Sequence, residues 1–128
     1  MLSNEDSRQL ELELNGSWAI THRWHGMRIA QRKRLAARPE FANCLDIVRS
    51  SDRNWAAMVQ ADIQKLKTDG IGLNPGFFVT GDDLITGQLT PGPRFKGILD
   101  EVRDAQLEGR VRSKEEAMEL ARRLSVKT

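Results

Sequence analysis

Arg23, Arg28, Arg32, Lys33, Arg34 and Arg38 fall within residues 14–39, and no Asp or Glu interrupts them. A run of that kind suits phosphate, because each Lys or Arg that neutralises a nucleic-acid phosphate displaces counterions and makes affinity fall with salt. Arg28, Arg32, Lys33 and Arg34 are the leading candidates for RNA contact. On a helix the four span most of the circumference, so they cannot all face one ligand, and a solvated helix face is the plain alternative. A second cationic group follows Pro91-Gly92-Pro93, where Arg94 and Lys96 flank a helix start. The free amides and the dipole of such a start favour an anion, and Gly92 lets a backbone approach closely. The same physics serves helix-hairpin-helix modules on duplex DNA, and its plain reading is a tight interhelical turn, since Pro is common at helix starts.

The other chemistry-bearing residues point to packing. His22 and His25 have the spacing of a helical metal pair, yet zinc needs three or four ligands and no third is near in sequence, although Cys44 could approach in the fold, so no metal site is expected. Cys44 is the one cysteine, has no partner for a disulfide, and is expected in the core. Trp18, Trp24 and Trp55 could stack on bases, although core or half-buried packing is the expectation for each. Asp82, Asp83, Asp100, Glu101 and Asp104 are explained by helix caps and outer helix faces, and no nucleophile stands with a base. No catalytic residue is expected in the chain.

These residues must be positioned by a modest scaffold. At 128 residues, a folded chain buries roughly two thirds of its unfolded surface, enough for a real core. The content of 39% hydrophobic and 30% charged residues, with Tyr absent, favours a water-soluble helical protein over a β-sandwich. No apolar run approaches the ~18 residues of a membrane span, and the acidic first residues do not read as a signal peptide, so a cytoplasmic setting and no membrane partner are expected. The net charge of +2 hides the asymmetry, with residues 1–13 acidic and residues 76–128 balanced.

Helix signals then recur along the chain. Ser3-Asn4-Glu5-Asp6 is a capping box, and Asn15-Gly16 is a plausible stop, predicting a first helix over about 4–15. Residues 27–39 predict a second, basic helix, and Pro39 suits the first turn of a third that runs to about Ser51. Trp55, Met58, Val59, Asp62, Ile63 and Leu66 trace a fourth, stopped at Asp69-Gly70. Residues 70–79 read as a connector in which Phe77 and Phe78 tuck into the core and a domain boundary is allowed. Thr80-Gly81-Asp82-Asp83 caps a short helix with Leu84 and Ile85 buried, ended by Gly87. A long helix follows the Pro-Gly-Pro turn with Phe95, Ile98, Leu99, Val102 and Ala105 on its inner face as far as Gly109, and Ser113-Lys114-Glu115-Glu116 caps a last one. The expected fold is an all-α bundle of about six or seven helices, one domain over 1–128 with subregions 1–70 and 71–128.

The segments TGDDLI, PGPRF, ILDEVRDAQLEG and SKEEAMELARRL resemble, in order and spacing, the C-terminal region of the tRNA nucleotidyltransferase/poly(A) polymerase family. LSNEDSRQLELEL looks like the helix that follows an HD-type module in some members, and KRLAARPEFANCLDIVRSSDRN resembles helices of the body. The resemblance covers most of residues 1–124 and is strongest over 80–124. It implies an enzyme whose N-terminal head holds two metal ions on paired aspartates and takes the nucleotide, followed by a helical neck, body and tail that grip RNA. This chain departs from that pattern: it has neither a Gly-Ser-rich strand–turn with an Asp-x-Asp pair nor an adjacent His-Asp dyad. The expectation is therefore the C-terminal part of a larger enzyme, or a descendant without its head. Its partners would be tRNA or an RNA 3′ region and the head of the same polypeptide, with metal and nucleotide confined to that head. Phosphates would be held by Arg28, Arg32, Lys33, Arg34, Gly92, Arg94 and Lys96, and the shape of an RNA duplex would be recognised without reading base edges. The alternative is a structural or interaction domain that packs on the neighbouring module without touching RNA.

Overall fold

The computed structural model describes residues 3–126, and among them every regular element is helical: seven α-helices and one short 3₁₀ turn. The chain divides into two compact units, Met1–Asn74 and Pro75–Thr128, with the division inside the glycine-rich connector.

In the first unit α1 (Asn4–His22) begins at the Ser3 hydroxyl, which accepts from the amide of Asp6 at 3.0 Å. It continues through Asn15 and Gly16 instead of stopping there. The reason is tertiary: α1 packs on α3 (Phe41–Ser51), and a Cβ placed at Gly16 would clash with Cys44 Sγ, well inside carbon–sulfur contact distance. Gly16 is thus a site of close helix approach. After α1 the chain makes a 3₁₀ turn, Trp24–Gly26, and only then α2 (Ile29–Ala36), shorter than the predicted 27–39. Gln31 fixes that later start by accepting from the Arg28 amide at 3.0 Å. Pro39 lies before α3 and not in its first turn, because Glu40 is the N-cap. α4 (Arg53–Lys67) starts on the Asp52 carboxylate, which accepts from the Trp55 amide at 3.0 Å, and packs on α2 and α3. The core of this unit gathers Ile20, Trp24, Leu35, Phe41, Cys44, Leu45, Val48, Val59, Ile63 and Leu66.

The second unit holds α5 (Gly81–Thr86), α6 (Arg94–Leu107) and α7 (Lys114–Val126), with α6 packed on α7. Asp83 and Thr80 close a reciprocal capping box at α5: the Thr80 amide donates to Asp83 Oδ2 at 2.8 Å, and the Asp83 amide to the Thr80 hydroxyl at 3.3 Å. α6 ends at Gly109, whose φ of 76° is left-handed. The Arg110 amide reaches back to the Ala105 carbonyl at 2.8 Å and that of Gly109 to Gln106 at 3.2 Å, a Schellman closure that needs glycine at the turn. Val79, Leu84, Ile98, Val102, Ala105, Val111, Ala117, Met118 and Ala121 are among its core residues. Two expected core residues lie elsewhere: Ile85 is 53% exposed, and Phe77 is 66% exposed beneath the Arg103 guanidinium, 4.1 Å from its ring centroid. For Phe77 the reason is Gln106, whose buried amide takes the connector backbone, accepting from Phe78 N at 3.2 Å and donating to Gly76 O at 2.6 Å. That anchor places Phe78 against the core and leaves Phe77 outside it.

Candidate nucleic-acid interface

Half of the basic run of the first unit, Arg32, Lys33 and Arg34, is turned inward. Lys33 is 0% exposed, and its ammonium lies 2.6 Å from Asp69 Oδ2. It therefore offers no charge to a phosphate, a correction to the expectation drawn from the run. Asp69 accepts further from the amides of Ile71 and Gly72 at 2.8 and 3.1 Å. Burial alone would raise its pKa, but the bonds from Lys33 and from the two amides outweigh it and hold the carboxyl below its ordinary value. Arg32 is committed in the same way. Its Nη1 lies 3.1 Å from Asp62 Oδ2, its Nε donates to Trp24 O at 2.9 Å and its Nη2 to His25 O at 3.0 Å. The guanidinium thereby clamps the 3₁₀ turn onto α4. Arg34 is half-buried, whereas Arg28 and Arg38 are exposed. Of the four leading cations of α2 and its cap, Arg28 alone stands on the surface.

The tryptophans separate by environment. Trp24 is buried, and its Nε1 donates to Asp62 Oδ2 at 2.8 Å. Trp55 is half-buried, with its Nε1 on Ile20 O at 2.9 Å, and Trp18 is 51% exposed beneath Arg23. The two histidines pack on rings rather than on each other: His22 lies 5.1 Å from Trp18, and His25 meets Trp55 edge-on at 4.8 Å.

In the second unit the Pro91-Gly92-Pro93 turn opens onto a groove of about 680 Å³ between the loop after α5, the start of α6 and the end of α7. Among the described residues its lining carries two cations, Arg94 and Arg122, and no carboxylate. Arg94 also satisfies the last carbonyls of α7, with Nη2 donating to Leu124 O at 2.7 Å and Nη1 to Ser125 O at 3.4 Å. Helix α6 begins with no side-chain cap and no acid in its first turn. Gly92 is exposed, and a Cβ there would meet nothing within 4 Å, so the groove is open to a partner backbone. Lys96 is exposed one turn into the helix. Arg122 is the residue that sequence reasoning missed: only the fold of α7 back onto α6 brings it to the groove. The carboxylate beside it, Glu119, stands at 3.9 Å.

A comparison with protein-family models, curated proteins and solved structures finds no match to the chain. Among the described residues no group of three or more His, Cys, Asp or Glu is placed to hold a metal ion, and no helix is long and apolar enough to cross a membrane. The acids expected to cap or to face outward include Asp83, which holds Lys114 at 2.9 Å. That bond comes first, and those from the Thr80 amide and hydroxyl follow, in keeping the Asp83 carboxyl below its ordinary value.

Proposed function

We propose that the chain is an RNA-contacting helical region of a protein related to the tRNA nucleotidyltransferases and poly(A) polymerases, holding backbone phosphate while catalysis resides in another part of the polypeptide. The observation that carries this reading is the groove of the second unit, which no acid lines among the described residues and where Arg94, Arg122 and the start of α6, which has no side-chain cap, converge beside an exposed glycine. Such a site takes an anion through charge and amide dipoles without reading a base edge. Gly92, Arg94 and Lys96 belong to the PGPRF stretch of the resemblance or adjoin it, so the groove sits on the part of the chain where the resemblance is strongest.

The test is binding of a tRNA acceptor-stem hairpin as a function of salt. Replacing Arg122 and Lys96 by Ala should flatten the slope of log affinity against log salt by about one for each phosphate that is no longer neutralised. Both residues are exposed, and Arg94 is left in place because it also closes α7. No binding at low salt, or an unchanged slope, overturns the reading.

A second reading, a scaffold that packs on a neighbouring module of the same polypeptide, is favoured by a different observation. Arg32 and Lys33 are spent on Asp62 and Asp69, while α1 exposes Leu10, Leu14 and Trp18 at successive helical turns. Retention of a partner module by the chain, abolished by Leu14→Glu and unaccompanied by RNA affinity, would select it.

A further inference from the structure

Helix α1 carries an apolar stripe on the side turned away from its own core. Leu10, Leu14 and Trp18 are 43, 52 and 51% exposed, whereas Gly16 and Ile20 on the opposite side are buried. Ser7 and Thr21, both exposed, extend the stripe by one turn at each end. All five residues fall within about 80° of helix arc. Their order along the helix, Ser7, Leu10, Leu14, Trp18 and Thr21, has the same spacing read in either direction from Leu14. The charges are not symmetric in this way. The first turns of α1 expose Glu5, Asp6 and Glu11 with one base, Arg8, and the fourth acid, Glu13, is engaged by Gln9 and Asn43. Past the far end of the stripe Arg23 lies over the Trp18 ring at 5.1 Å, and residues 14–39 hold no acid.

We infer that α1 is the contact surface of a homodimer in which two copies of the chain pair antiparallel about a two-fold axis at Leu14. Reversal lays the evenly spaced stripe on itself: Leu14 meets the partner's Leu14, Leu10 the partner's Trp18 and Ser7 the partner's Thr21. The same reversal sets Glu5 opposite the partner's Arg23 and Asp6 opposite the partner's His22. Every contact then occurs twice, as an isologous interface requires. A parallel pair would instead set acid against acid and Arg23 against Arg23. The short side chains of Ser7 and Thr21 let the helices close at both ends, and the Thr21 hydroxyl already donates to Ser17 O at 2.9 Å, so its proton is not stranded there. The two indoles are the aromatic anchors. A helix of 19 residues is about 28 Å long, and two of them bury an area near or below the ~1,200 Å² at the low end of stable interfaces, so the dimer is reversible and concentration-dependent. The inference stands apart from the phosphate groove of the second unit, and it gives to a second copy the face that the scaffold reading gives to a neighbouring module.

Sedimentation velocity of the intact chain from about 1 to 500 µM tests it, a span that covers the affinities of small interfaces. The average mass should rise with concentration toward twice the monomer value. Leu14→Glu and Trp18→Ala, both at exposed positions, should each weaken association about tenfold or more with the far-UV dichroism unchanged. The charges report the orientation. Glu5→Arg or Arg23→Glu alone should weaken the dimer about fivefold, since two exposed ion pairs are lost at once, and the chain carrying both changes should recover it. A parallel pair would stay weakened in that double variant. Lys96→Ala with Arg122→Ala, which decides the RNA reading, should leave the dimer unchanged, so the two proposals fail separately. A mass that stays at the monomer value throughout, association indifferent to Leu14→Glu, or no recovery in the double variant overturns the inference. So does a monomer that retains a neighbouring module through Leu14, which assigns the face to that module.

Discussion

With its ammonium enclosed and 2.6 Å from Asp69 Oδ2, Lys33 ties α2 to the segment that leaves α4. Removing one partner of such a pair strands the other. Lys33→Ala should therefore cost about 2 kcal/mol in a denaturant midpoint experiment, less than the roughly 3–5 of a fully buried pair because Asp69 keeps some water. Lys33→Met fills the same space without charge and should recover part of that loss, while RNA affinity stays as in the unaltered chain if the residue is structural. Gly16 offers a second test at this scale. Gly16→Ala drives a methyl into Cys44 Sγ and should destabilise by about 1–3 kcal/mol, with partial recovery in the double variant with Cys44→Ala. Neither role was legible in the sequence. The carboxylates that absorb Arg32 and Lys33 lie some thirty or more positions downstream, and a glycine after asparagine signals a helix stop by local chemistry whatever packs against it.

Elements carried by local signals were the readable ones. The Ser3, Thr80 and Ser113 caps all form, and the inner faces of α6 and α7 follow their periodicity, because these depend on residues three and four apart. Boundaries set by distant contacts were not: α1 overran Gly16 and α2 was delayed by the Trp24–Gly26 turn. The α5 cap yields a pH prediction. Because the folded pKa of Asp83 is depressed, its stabilising contribution is complete above the ordinary carboxylate pKa and is lost as pH falls through the lower folded value. Melting temperature followed by far-UV dichroism should therefore drop on acidification below the ordinary carboxylate range. Asp83→Asn should melt lower at neutral pH and show a smaller drop.

At the scale of the whole molecule, the two cores share no residue, and the division falls between Asn74 and Pro75. All three tryptophans lie in the first unit, whereas helices are spread over both. The two signals consequently report different things. Val102→Ala, a cavity in the second core, should lower the dichroism transition by about 1 kcal/mol or more and leave the tryptophan emission transition in place. Coincident shifts of both signals would show a single cooperative block. The sequence allowed a boundary in its glycine-rich stretch without requiring one, since glycine and proline mark a connector equally well within one core or between two.

The Gly16–Cys44 contact also makes the first unit its own stopwatch. The sulfur is fully enclosed, and burial, with Glu40 and Glu13 adding to it, pushes the thiol pKa up, so an alkylating reagent has neither access nor thiolate while α1 stays seated on α3. With reagent in enough excess that labelling outpaces reclosing, the rate at which the chain's one sulfhydryl becomes labelled is the rate at which those two helices part.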